Sequence, residues 1–402
     1  MSMHARLLAM FVLLSGTLAL AHPEHATPAF EASARRVQSL RDAASTRPDD
    51  DRALAALAHA TLDLGRRSGD HALLAESGRA FETLVARRPE ASEAWVGLTH
   101  ARIGRHAFAS ALEAAREAVR LAPDDPSVRS VLGDAHLAIG NYTEAEAIFR
   151  WRASDLSLET LSRLALLEQE LGRIEDALVT MDEARQAGLL LGASDLEIAW
   201  CHTMTGDMLL TLGRLDEATE AYTRAAGLDP EAHAAMFGLA RVMHAQGRTE
   251  EATRMLERLV ERASNPRYRL ELVRVTGATG MLDPLREALE SEIEGGDLEH
   301  ARTLVELTLE FGGDERRAAA LARRELREVR QDIDAHVVAA RALSRVGEHD
   351  EGVRLIRIAM GLAPDRPDVR LAGVEVLRAS GREVEASILA RRLAGPATPE
   401  SR

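Results

Sequence analysis

One stretch of the chain is written twice. From Ser92 onward, Trp95, Leu98, Ala111, Ala115, Ala118 and Pro123 stand at set intervals. Offset by 34 residues, Leu132, Gly133, His136, Gly140, Tyr142, Ala145 and Phe149 stand at the corresponding intervals, up to Glu159. A repeat of this length holds two helices joined by a turn, and neither helix can bury its apolar stripe alone. Trp95, Leu98 and Arg102 fall three and four residues apart, on one face of a first helix. Ala111, Ala115 and Ala118 are small where a second helix comes close to the first. Pro123, with no N–H to donate, ends it. On this reading Trp95 is a core residue, and Trp95→Ala should cost about 3–5 kcal/mol.

The spacing resembles the tetratricopeptide repeat, whose pattern runs Trp-x2-Leu-Gly-x2-Tyr, then Ala-x3-Phe, then Ala and Pro. The resemblance covers roughly residues 51–402, as about ten units. It is nearly complete in Ser92–Asp125 and Pro126–Glu159, and carried mostly by turn glycines and small residues in the last four units. It implies an all-α fold, a right-handed α-solenoid of about ten helical hairpins, and a partner protein or peptide held on the face made by the first helices.

Met1–Ala21 looks like a secretory signal: Arg6, an apolar run Leu7–Leu20, and an A-x-A site at Ala19-Leu20-Ala21. The expected mature chain begins at His22, has no stable membrane span, and is periplasmic or secreted. Residues 22–50 read as a disordered start followed by a capping helix over Phe30–Ser45, with Val37, Leu40 and Ala44 on one face. An N-terminal array over 51–192 and a C-terminal array over 193–402 follow. Between them Gly188–Gly192 reads as an apolar, glycine-bounded linker, and Ser194 with Glu197 as a capping box. Further on, Pro284 stands at the start of a second helix that Asp283 would cap, after a turn at Gly280.

Enzyme signatures are lacking: no His-Glu-x-x-His, Gly-x-Ser-x-Gly, strand-linked Gly-x-Gly-x-x-Gly or Cys-x-x-Cys is present. There is no lysine, so every basic side chain is arginine. This removes phosphate-loop and Schiff-base lysines. The one cysteine, Cys201, forms no internal disulfide and reads as a half-buried thiol. A formal net charge of -14 with only 3% aromatic residues argues against nucleic acid. No catalytic residue, cofactor or metal site is assigned. His22 and His25 could bind copper or zinc, but a plain chain terminus explains them as well.

The outward position of successive first helices falls on His100, Asp134, Leu166, Asp207, Arg241, Arg274, Leu307, Arg341 and Glu375. Arginines gather in the later half, with Arg267, His244 and Arg345 placed to join them. Since arginine recognises carboxylates in a planar, two-pronged way, Arg241, Arg274, His244, Arg267, Arg341 and Arg345 are the expected contacts for an acidic peptide or a free carboxyl end. Family members that clamp such ends use Lys and Asn, which this chain does not reproduce. The expected function is a non-enzymatic interaction scaffold of the bacterial envelope. The alternatives are an accessory subunit of a polysaccharide-export or cytochrome-maturation machine, or metal binding by the N-terminal histidines.

Overall fold

The computed structural model describes residues 28–68, 71–105, 107–151, 157–229, 232–262, 266–295, 298 and 300–393. The expected signal and both N-terminal histidines lie outside them. Within them every regular element is helical and no strand occurs. Helix α1 (Pro28–Thr46) is followed by ten pairs. These are α2 (Asp51–Ser68) with α3 (His71–Arg87), α4 (Ser92–Gly104) with α5 (Phe108–Leu121), and α6 (Pro126–Ile139) with α7 (Tyr142–Arg150). Then come α8 (Leu158–Glu170) with α9 (Ile174–Leu191), α10 (Asp195–Thr211) with α11 (Leu215–Leu228), and α12 (His233–Ala245) with α13 (Thr249–Arg262). The last are α14 (Pro266–Thr276) with α15 (Leu282–Glu294), α16 (Ala301–Phe311) with α17 (Glu315–Glu328), α18 (Ile333–Arg345) with α19 (His349–Leu362), and α20 (Pro367–Ala379) with α21 (Glu383–Leu393). The chain divides into two compact units: residues through Leu164 together with Met181–Leu282, and Ala165–Thr180 together with Asp283 onward.

The pairing follows from ring-on-glycine packing. In the first unit Tyr222, fully buried on α11, lies between Gly206 of its own first helix and Gly238 of the next. A Cβ at Gly206 would stand 2.6 Å from the ring, and one at Gly238 would stand 2.2 Å from it. No side chain fits at either place, so one ring fixes both its own hairpin and the next. Turns between the helices also need glycine: Gly140 closes α6 at φ 91°, where a Cβ is strained. Helix α1 packs on the first pair, with Val37 buried against Leu57 and Leu64, and Leu40 and Ala44 packed alongside.

Several local expectations need correction. Trp95 is only partly buried at the edge of the α3–α4 core, and its indole N–H reaches the Pro89 carbonyl at 2.9 Å. Cys201 is fully buried rather than half-buried, and burial pushes its thiol up to about 12. Gly188–Gly192 is not a linker: α9 continues through Leu191, and only Gly192 is left-handed, at φ 77°. Gly188 is a packing residue there, because a Cβ would meet Leu158 Cδ1 at 2.2 Å. The capping box that follows is present, with Ser194 N donating to Glu197 Oε2 at 2.5 Å and Glu197 N donating to Ser194 Oγ at 3.4 Å. Asp283 lies inside the first turn of α15 instead of capping it, since a 3-10 turn over Thr279–Met281 leads straight into the helix. The left-handed residue after α14 is accordingly Gly277, not Gly280.

Candidate partner-binding face

First helices of successive pairs touch one another directly: α2 with α4, α4 with α6, and α10 with α12 in the first unit, and α16 with α18 and α18 with α20 in the second. Positions one repeat apart therefore become neighbours on one face. The structure treats those positions in two ways.

In the early part of the first unit they are taken up internally. Arg163 of α8 is almost wholly buried; its Nε donates to Asp134 Oδ1 at 2.7 Å and its Nη2 to Oδ2 at 2.8 Å. Its Nη1 donates to Glu159 Oε1 at 2.8 Å. Burial alone would weaken the charge, but Asp134 and Glu159 outweigh it and hold Arg163 above the ordinary arginine range. Arg66 of α2 lies within the field of Asp134, Asp63 and Arg163, and burial pushes its guanidinium down to about 10, still charged at neutral pH. His100 of α4, 7% exposed, is held well below the usual histidine range by burial and then by Arg66, Arg163 and His59. Leu166 in the second unit is buried and has nothing to offer a ligand.

In the later part of the first unit the face stays open. Tyr222 Oη donates to Asp207 Oδ1 at 2.5 Å, anchoring that carboxylate. Burial raises the Asp207 carboxyl, against the pull of Tyr222, Arg241 and Arg267. Both arginines are exposed. Arg241 stands 5.9 Å above the Phe237 ring, a cation–π contact that steadies it in water. Arg274, two turns along α14 from Arg267, bonds Glu271 at 3.1 Å. His244 is exposed near the end of α12. Arg241 and Arg267 thus converge on one carboxylate, while Arg274 and His244 flank them on the same two helices.

Arg341 and Arg345 belong to the second unit. Arg341 Nε donates to Glu375 Oε2 at 2.9 Å, a pair between positions 34 residues apart. Arg345 Nη2 donates to the Leu309 carbonyl at 3.2 Å and lies 3.7 Å from Glu315. It borders a shallow depression lined by Gly313, Asp314, Glu315, Arg316 and Val346. Leu307 is fully buried. Sequence reasoning missed the Arg163 network, the Asp207–Tyr222 bond and the ring under Arg241. The first had a partial signal, since Arg66, His100 and Asp134 lie at successive steps of 34. Among the described residues no group of three or more His, Cys, Asp or Glu could hold a metal ion. None of the described helices is long and apolar enough to cross a membrane.

Tetratricopeptide repeat family models match residues 62–126, 97–154, 156–231, 209–272 and 334–357. The chain belongs to the tetratricopeptide repeat family. A curated relative of this tetratricopeptide repeat protein is the cellulose synthase 1 operon protein C of Komagataeibacter xylinus, 31% identical over 157 residues. That match takes in 36% of this chain and 11% of the relative, so the chain spans only a small part of that protein's length. Solved structures with a similar helical arrangement include a human IFIT1 dimer with PPP-AAAA, 16% identical at a TM-score of 0.45, covering 81% of this chain and 78% of that one. Another is YrrB, described as a TPR protein with an unusual peptide-binding site, 18% identical at a TM-score of 0.31, covering 46% of this chain and 92% of that one.

Proposed function

We propose that this chain is an interaction scaffold with no chemistry of its own, and that it holds an acidic peptide segment or chain end of a partner protein on the α10–α12–α14 face. The observation that supports this reading is the exposed pair Arg241 and Arg267 around the anchored Asp207 carboxylate, with Phe237 beside them. An incoming carboxylate meets exposed guanidinium groups, with an aromatic ring beside Arg241. Arg274 extends the cationic strip along α14, with the exposed His244 on α12. Residues 1–21 support export to the periplasm or beyond, which N-terminal sequencing of the mature protein starting at His22 would test.

The name of the Komagataeibacter relative favours a more specific version, in which the scaffold serves an envelope machine that makes or exports a polysaccharide. Crosslinking in the native envelope followed by identification of the attached protein tests both versions. The general one expects a capture that is lost in the Arg241→Ala/Arg274→Ala double variant. The specific one expects the captured protein to be a component of the polysaccharide machine. Unchanged capture in the double variant would reject the arginine face.

A further inference from the structure

In a repeat array each unit contacts its neighbours in sequence. One contact inside the second unit departs from this. The turn that ends α8 lies against the segment leading into α20, far later in the chain: a Cβ at Gly172 would stand 2.8 Å from Arg366 N and 3.3 Å from its Cα. Gly172 is left-handed at φ 78° and fully fits only as glycine.

This contact is lined by charge. Arg366 Nη1 lies 3.5 Å from Glu170 Oε2, while its Nη2 donates to Asp334 and, at 2.6 Å, to Asp368. Arg302 Nη2 donates to Glu325 Oε1 at 2.9 Å and to Asp332 Oδ1 at 2.9 Å, and its Nη1 lies 3.7 Å from Asp334. Arg330 Nε is 3.2 Å from Glu325 and 3.1 Å from Asp332. These bonds join five carboxylates to three guanidiniums. The carboxylate held by the longest of Arg366's bonds is Glu170.

We propose that the meeting of the α8–α9 turn with the segment before α20 is a proton-operated latch, closed when Glu170 is protonated and loosened when it is ionised. The groups that face Glu170 are Arg302 of α16, Asp332 and Asp334 at the start of α18, and Arg366 before α20. On its own segment the other charged groups are Glu168, which accepts from Thr180 Oγ1 at 2.8 Å, Arg173, Glu175 and Asp176. Burial, then the charge of Asp334, pushes the Glu170 carboxyl up to about 7, from an ordinary value of 4.5. Asp332 moves the other way: burial opposes ionisation, but Arg302 and Arg330 prevail and keep it below the usual range. The sign follows. Between 4.5 and about 7 the closed form holds a proton that the open form, with Glu170 in water, does not. Acidification through this window closes the latch, and raising the pH past its upper end loosens it.

The test uses the full chain with spin labels on Asp176→Cys of α9 and Leu371→Cys of α20, both exposed. Native Cys201 is fully buried and stays unlabelled. Electron–electron distance measurements should show one narrow distribution at low pH. At high pH a second, longer one should appear, the closed-to-open ratio falling on the order of a hundredfold across the window. Glu170→Gln should stay closed throughout. Arg366→Ala should be open throughout, and Gly172→Ala serves as a second open reference that keeps every charge. Circular dichroism confirms that each variant folds. Identical wild-type distributions at both ends of the window, or a Glu170→Gln response equal to the wild type's, overturns the latch.

Discussion

The two halves of the first-helix face in the first unit share one register and use it oppositely. From α2 to α8, Arg66, His100 and Asp134 turn towards Arg163 and are consumed by a buried network. From α10 to α14, Asp207 is followed by Arg241, and both Arg241 and Arg267 act on the Asp207 carboxylate. The difference is one of charge order. Where a carboxylate meets a guanidinium that helix packing has already buried, the pair satisfies itself. Where two arginines act on a single carboxylate that Tyr222 has already engaged, both guanidiniums lie at the exposed surface. The same register therefore gives a buried ion network in one half and exposed arginines in the other.

The largest effect should come from breaking the closed half. Arg163→Ala leaves Asp134 buried without its cation and should lower stability by about 3–5 kcal/mol in denaturant unfolding. Replacing both partners, as Asp134→Leu with Arg163→Met, should recover most of that loss. If the single variant costs less than about 1 kcal/mol, the pair does not organise this half.

Next is the ring clasp of the open half, where Tyr222 sits between Gly206 and Gly238. Gly238→Ala drives a methyl into Tyr222 and should cost about 1–3 kcal/mol. Gly247→Ala, at a turn with open space around its Cβ position but a left-handed φ of 80°, tests backbone strain alone and should cost about 1 kcal/mol.

A smaller effect should appear with pH. His100 in the closed half is held below its ordinary value of 6.5. The folded state resists its protonation, so its contribution is fully present above 6.5 and is lost as the pH falls towards the depressed value. Thermal melts should decline on acidification below that point by up to about 1.4 kcal/mol per pH unit. His100→Asn should flatten the decline.

The smallest change in stability, and the sharpest in binding, belongs to the open half. Arg241→Ala/Arg274→Ala should unfold within about 0.5 kcal/mol of the parent. Its affinity for an acidic peptide ligand should fall roughly tenfold or more, with a shallower salt dependence.

The hairpins were legible because each repeats local demands at fixed spacing: small residues where helices cross, glycine where a ring packs, glycine or proline where helices end. Trp95 was over-read because the family pattern marks the position but not how much neighbouring side chain covers it. Gly188 was misread as a breaker because glycine in a helix looks the same whether it ends the helix or admits Leu158. Arg241 and Arg274 could be placed from register alone. The ion networks could not, since Arg163 meets Asp134 from 29 residues away and Arg366 meets Glu170 from a distant repeat, and neither separation follows the period. Such pairs depend on how repeats stack, which one unit's sequence does not encode.

The central claim is that the α10–α12–α14 face is open for a partner. Placing a photo-crosslinking residue at Phe237, beside Arg241, in cells that produce the protein tests it most directly. The account predicts a discrete crosslinked protein that disappears when Arg241 and Arg274 are changed to Glu, and no such product from the same probe at Glu220 on the second helix α11. The same capture at both positions, or capture that survives the charge reversal, would contradict it.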